Sequence, residues 1–213
     1  WNPSETGAEA VVKVLTGEYN PGGKMPVCAA RNAGQIPIFY NHINGSSWHQ
    51  GESIGFQDYV NMPHTPRYFF GYGLSYTTFE YSDLNLDRKE IAPDGSVKVQ
   101  FSVKNTGDRD GEEVVQLYIH DVRASVARPV KELAGFLRLE VKAGEEKTVE
   151  FTLQASQTTF LDREMKWKVE KGDVQILVGS SSEDIRLNDM IRITDSAWIE
   201  GRDRAFYAEV QTL

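Results

Sequence analysis

From Phe79 onward the apolar residues of this 213-residue chain recur at every second position, and that period limits what the chain can become. Val97, Val99, Phe101 and Val103 alternate with Lys98, Gln100 and Ser102. Val115, Leu117 and Ile119 alternate with Gln116 and Tyr118, and Leu137, Leu139 and Val141 with Arg138 and Glu140. The rhythm returns in Val149, Phe151 and Leu153 and in Val174, Ile176 and Val178, and Ile191 and Ile193 close the set. In an extended strand neighbouring side chains point to opposite faces, so each run has one apolar face to bury. Turn residues separate the runs: Pro93-Asp94-Gly95, Asn105-Thr106-Gly107, Ala143-Gly144-Glu145 and Lys171-Gly172-Asp173. One-faced strands at this spacing predict two stacked antiparallel sheets, a sandwich of about seven strands. The tail from Thr194, with Trp198, Phe206 and Tyr207, is expected to lie on its surface.

Upstream the texture changes. Ala8, Val11, Val12 and Leu15 form an i, i+3, i+4, i+7 stripe, the mark of a helix. Ser4 is its expected N-cap, Glu5 suits the positive end of its dipole, and Gly17 is its stop. After the turn Asn20-Pro21-Gly22-Gly23, the apolar stretch Ile36-Pro37-Ile38-Phe39-Tyr40 is expected to be a short strand. One helix and one strand cannot bury each other's faces, so this region reads as the end of an α/β layer that needs a partner. Residues 41–72 show no period and mix Gly, Ser, Asn, His and Pro with aromatics, the composition of a long loop. At its end, Gly71 and Gly73 allow a sharp turn and close backbone approach, while Tyr68, Phe69 and Phe70 would pin the segment to the sandwich.

Charge and cysteine use narrow the partners. The net charge is −8, from 31 acidic against 23 basic side chains. Binding to nucleic-acid phosphates needs a basic stripe, so no nucleic acid is expected. No apolar run approaches the roughly 18 residues of a membrane span, and no membrane is expected. Cys28 is the only cysteine, which rules out an internal disulfide and a cysteine-based metal site. Without the disulfide of antibody domains, the fibronectin type III-like branch of immunoglobulin-like sandwiches is the expected fold. The chain opens on Trp1 and Asn2 with no signal peptide, so it reads as a piece of a longer protein, cytoplasmic or secreted.

Several stretches together resemble the C-terminal part of glycoside hydrolase family 3, the β-glucosidase and β-xylosidase family. They are Gly17-Glu18-Tyr19-Asn20-Pro21-Gly22-Gly23-Lys24-Met25-Pro26-Val27, Gln35 to His42, Tyr68-Phe69-Phe70-Gly71-Tyr72-Gly73-Leu74-Ser75-Tyr76-Thr77-Thr78-Phe79, Gly111 to Tyr118 and Arg128 to Phe136. They occur in the family's order and cover nearly the whole chain; the Phe-Gly-Tyr-Gly-Leu-Ser-Tyr-Thr phrase is the most specific. The resemblance implies a mainly β chain: a fibronectin type III-like domain over 79–213, preceded by the terminal piece of an α/β sandwich domain (1–40) and a linker (41–78). Ser4 and Ala8 stand where the family usually has glycine, and Cys28 where it usually has threonine.

The resemblance also implies a parent that removes terminal β-linked glucosyl residues from the non-reducing end with retention. Such chemistry needs two carboxylates about 5 Å apart. The family places its nucleophile on an absent barrel and its acid/base upstream of Trp1, so no catalytic residue is carried over and this chain alone is expected to be inactive. Its implied partners are the barrel and α/β domains, on the same chain or on a separate one. Glu112 and Glu113 are no substitute: neighbours on a strand face opposite ways and are expected to be solvated, one paired with Arg109 or Arg123.

His42, His49, His64 and His120 show no metal spacing, and no phosphate-binding loop or nucleophile elbow appears, so no metal or cofactor is expected. Aromatic and amide groups suit sugars. Trp48, His49 and Gln50 are therefore candidate substrate contacts, although the favoured reading of the aromatics here is that they fill the groove between domains, where large rings bury most area. A second reading is a carbohydrate- or protein-binding sandwich without a catalytic role. The outward strand positions, mostly Lys, Gln, Glu, Arg and Thr, speak against a stacking platform on a sheet face.

Overall fold

The computed structural model describes residues 4–43 and 62–213. Its body is the expected sandwich. One sheet has the order β1 (Phe79–Leu86), β3 (Ser96–Asn105), β6 (Glu146–Gln154), β12 (Glu209–Thr212). The facing sheet has the order β2 (Glu90–Ile91), β10 (Ile185–Ile193), β9 (Gly172–Gly179), β4 (Gly111–Asp121), β5 (Glu132–Val141). All pairings in these sheets are antiparallel except the short one between β2 and β10. A small third sheet of β11 (Ala197–Trp198), β8 (Trp167–Val169) and β7 (Phe160–Leu161) sits beside them.

The alternation converts directly into the core. Val97, Val99, Phe101 and Val103 of β3 and Val149, Phe151 and Leu153 of β6 are wholly buried against Val115, Leu117, Ile176, Ile191 and Ile193 of the other sheet. Full burial of each such side chain contributes about 1.5–3 kcal/mol. Tyr81, Phe101 and Phe151 stack in a row at 6.1 Å between successive rings. The tail does more than lie on the surface. β12 extends the first sheet along β6 and buries Ala208, while Trp198, Phe206 and Tyr207 stay exposed.

Three local expectations differ from what is found. The helix, α1, runs Gly7–Leu15 with Thr6, not Ser4, at its N-cap and with no side-chain cap, and Gly17 ends it at φ 76° as expected. No residue of α1 is buried; Val11, Val12 and Leu15 are 49%, 56% and 75% exposed, so its apolar stripe has no partner among the described residues. Ile36–Tyr40 forms no strand, because no neighbouring strand offers a ladder: a short 3₁₀ turn at Ala33–Gln35 precedes it, and Ile36 and Phe39 point outward. Finally, Gln116 and Tyr118, on the face of β4 expected to meet water, are buried under the N-terminal segment. No helix among the described residues is long and apolar enough to cross a membrane.

Candidate functional site

The chemistry-bearing residues of the described chain converge where the segment before β1 lies on the second sheet. Residues 24–29 and 67–72 run side by side. Met25 N donates to Tyr72 O (2.8 Å), Gly71 N to Met25 O (2.7 Å), Ala29 N to Tyr68 O (2.8 Å) and Arg67 N to Ala29 O (2.7 Å). Gln35 clamps the next turn: its Nε2 donates to Pro63 O, His64 O and Thr65 O at 3.1–3.3 Å, while its Oε1 accepts from Arg31 N. This two-stranded ribbon uses its own backbone bonds and then settles on β4.

The contact with β4 is made by rings and one amide. Tyr40 stacks on Phe70 (4.3 Å between centroids) and meets Tyr118 edge-on at 5.9 Å, and its hydroxyl accepts from Leu133 N. Gly71, at φ 78°, brings its backbone against Gln116, where a Cβ would fall 2.1 Å from Gln116 Oε1. Gln116 Nε2 donates to Ser180 O (2.7 Å) and Gly71 O (3.3 Å), and its Oε1 accepts from the Tyr118 hydroxyl (2.6 Å). Every polar atom of this buried amide is satisfied, so it joins strand and ribbon without the cost of an orphaned group. Burial holds the Tyr40 and Tyr118 hydroxyls above the usual tyrosine range.

A second junction lies at the start of β4. Asn20 Oδ1 accepts from Tyr76 N (2.7 Å) and Ser75 Oγ (3.0 Å), and its Nδ2 donates to Asp110 O. The Tyr76 hydroxyl donates to Val14 O in the last turn of α1, and Arg109 covers the Tyr76 ring while donating to Gly17 O. Asn105, the first residue of the Asn-Thr-Gly turn, is fully buried. It accepts from Thr77 Oγ1 (2.6 Å) and donates to Arg109 O and Val141 O.

Between the junctions lies a cleft of 290 Å³ lined by Lys24, Tyr72, Thr77, Glu113, Asp184 and Arg186 among others. Lys24 Nζ pairs with Glu113 Oε1 at 2.9 Å, both largely buried, and the Tyr81 hydroxyl donates to the same oxygen (3.3 Å). Arg186 lies over the Tyr81 ring, pairs with Asp184 (2.8 Å) and donates to Phe79 O. Burial, reinforced by the Glu113 carboxylate, pushes Tyr81 well above the tyrosine range. The Arg186 hydrogen bond holds Asp184 below the carboxylate range.

Glu112 and Glu113 do diverge, but their partners and solvation differ from expectation. Glu112 pairs with Arg138 and accepts from the Tyr19 hydroxyl, while Glu113 is only 4% exposed and takes Lys24. Arg109 is used elsewhere, on Gly17 and Tyr76. Each carboxylate has its own cation, so the arrangement fastens segments together and offers no open pair to a bond. Lys24, Gln116, Gln35 and Asn20 were not legible as junction residues; the only signal was an amide and a phenol facing outward from an apolar strand. Trp48, His49 and Gln50 lie outside the described residues. His42 lies inside them, its carbonyl accepting from Val130 N (2.9 Å). Among the described residues no group of three or more His, Cys, Asp or Glu side chains could hold a metal ion.

Known proteins share this arrangement of ribbon and sandwich. The family model for the glycosyl hydrolase family 3 C-terminal domain matches residues 1–76, and that for the fibronectin type III-like domain matches 113–182. The chain is 39% identical over 188 residues to the periplasmic beta-glucosidase of Salmonella typhimurium, covering 87% of this chain and 25% of that protein. It is 39% identical over 198 residues to thermostable beta-glucosidase B of Acetivibrio thermocellus, covering 91% and 26%. The crystal structure of a beta-glucosidase from Listeria innocua in complex with isofagomine superposes with a TM-score of 0.83 at 36% identity, over 91% of this chain and 27% of that one. The chain thus spans about a quarter of the length of these relatives. It belongs to glycoside hydrolase family 3, whose C-terminal region, with the fibronectin type III-like domain, it carries.

Proposed function

We propose that this chain is the C-terminal part of a retaining β-glucosidase-type hydrolase, and that it braces the catalytic domains and flanks their cleft. The observation that carries the reading is the pairing of a satisfied junction on one side with an unsatisfied surface on the other. The ribbon is tied to β4 through Gln116 on Gly71 and through the Lys24–Glu113 pair, whereas Val11, Val12 and Leu15 of α1 expose one continuous apolar stripe. A helix with such a stripe needs a layer to cover it, and the relatives have three further quarters of chain from which one could come. In this reading residues 1–40 end an α/β sandwich domain, 41–78 form the linker that docks it, and 79–213 form the third domain. Both catalytic carboxylates then belong to the upstream part, and the substrates are β-linked glucosides.

The 213-residue chain alone is expected to give no turnover of p-nitrophenyl β-glucoside above buffer, with activity present when the upstream domains are joined to it. Robust hydrolysis by the purified chain would overturn the assignment of the carboxylates.

Trp48, His49 and Gln50 are proposed to face an outer sugar subsite of the same enzyme. Trp48→Ala in the active protein is then expected to raise KM for a disaccharide severalfold while leaving the aryl glucoside, which needs no outer subsite, nearly unchanged. Unaltered kinetics on both would assign these residues to the groove between the domains.

A further inference from the structure

We propose that a cleft at the end of the sandwich remote from α1 binds a neutral glycan chain, with the indole of Trp198 as its stacking platform. β4 starts beside α1, where Arg109 holds Gly17, and ends about 30 Å away, where Val122 N donates to Asp173 O just beyond β8. The cleft lies at that far end, between the β7–β8 hairpin and the turn at Gly201–Asp203. Its volume of 640 Å³ falls within the roughly 300–1,000 Å³ of small-molecule sites. Met165, Lys166, Trp167, Trp198, Glu200 and Asp203 are among the residues lining it.

The walls are built and held. Trp198 is 62% exposed, yet its Nε1 donates to Asp162 Oδ2 at 2.9 Å. The other oxygen of Asp162 accepts from Glu164 N (2.9 Å) and Lys166 N (3.0 Å), so one carboxylate both shapes the hairpin and fixes the indole. With its N–H already used, the ring has only its faces to offer. Lys168 lies over the ring, 5.9 Å from its centroid. The second indole, Trp167, is pressed against Gly201, where a Cβ would fall 2.6 Å from its Nε1, and Arg204 covers it at 5.0 Å. At the rim Met165 adopts φ 60° and is 72% exposed. A non-glycine residue in this region costs on the order of 1 kcal/mol, and strain of this kind gathers at sites that bind.

The lining selects the ligand class. Indole faces take the C–H side of a pyranose ring, and carboxylates take pairs of neighbouring hydroxyls through charge-assisted hydrogen bonds. Glu200 and Asp203 line the cleft with Lys166, and Lys168 and Arg204 lie over the two indoles, so the charges around the cleft largely offset one another and suit a ligand without net charge. A protein partner fits less well: interface cores are depleted in Glu, Asp and Lys, and Lys166, Glu200 and Asp203 stand here beside the rings. Glucose- or xylose-based chains, whose rings carry C–H on both faces, match the wall. This inference stands apart from the hydrolytic proposal, because the cleft would bind whether or not an upstream domain cleaves.

The test is native affinity electrophoresis of the protein in gels containing soluble mixed-linkage β-glucan, arabinoxylan or carboxymethylcellulose, with a gel lacking polysaccharide as reference. Retardation is expected in at least one neutral gel and less in carboxymethylcellulose, with Trp198→Ala weakening it about tenfold or more, a loss of one stacking contact. Trp198→Phe should retain part of it. Glu200→Gln, an exposed change that leaves the fold alone, should also reduce it, which keeps the test decisive if Trp198→Ala melts early. Absence of retardation of the unaltered protein in both neutral gels would overturn the proposal. So would equal retardation of Trp198→Ala, or a fall in its native mass, which would assign the cleft to self-association.

Discussion

Phe101→Ala is expected to lower the stability of the sandwich by about 4 kcal/mol, the middle of the range for deleting a buried phenylalanine. The ring has no exposed surface and lies between Tyr81 and Phe151, 6.1 Å from each. Its loss removes both stacking partners and leaves a void in the centre of β3, between β1 and β6, where neighbouring strands are bonded on both sides and cannot close in. Domains of this kind hold only about 5–15 kcal/mol in total. With a urea slope near 2 kcal/mol/M the midpoint should fall by about 2 M. Phe136→Ala, whose ring is half exposed, should lower the stability by less than about 0.5 kcal/mol. If the two changes cost the same, the core is not where the alternation of the sequence puts it.

Lys24→Met is expected to cost about 3 kcal/mol, for a different reason. The Lys24–Glu113 pair is nearly dry, and an unpaired buried carboxylate is far more expensive than the pair was favourable. The nearby Arg186 offsets only part of this, being already engaged with Asp184 and Phe79 O. The double change Lys24→Met with Glu113→Leu removes charge from both sides and should recover most of the loss. The decisive quantity is the coupling in a double-mutant cycle read from urea midpoints. Additive losses would mean that the ribbon is not fastened to the sandwich through this pair.

The two expectations draw on different depths of the sequence. The sandwich was legible because Val97 to Val103 and Val149 to Leu153 repeat a period that only a one-faced strand explains. β2, β7 and β11 were not, since two residues carry no period, and β8 and β12 are barely longer. Ile36–Tyr40 misled because an apolar, β-branched stretch makes a strand only where a neighbouring strand offers a ladder, and none does so among the described residues. Gln116 and Tyr118 looked like solvent positions because their cover, Phe70 and Gly71, is supplied by chain some 45 residues earlier. The junction at Lys24 and Glu113 is the same case, since pairing across 89 positions leaves no local trace. The aromatic end around Trp198 was visible only as scattered rings in a tail; the hairpin that turns them into a cleft starts more than thirty residues before it.

The clamp formed by Gln35 has one more effect, on how this part of the protein can vary. Ile43 pairs with Pro129 at one margin of residues 44–61, and Gln35 grips the carbonyls of residues 63–65 at the other. Both margins are therefore anchored independently of what lies between them. Doubling the length of an anchored loop costs only about 0.6 kcal/mol in closure entropy. A change of chain length between Ile43 and the 62–65 segment would therefore meet two margins already fixed, and the ribbon and sandwich that carry those margins would keep their shape.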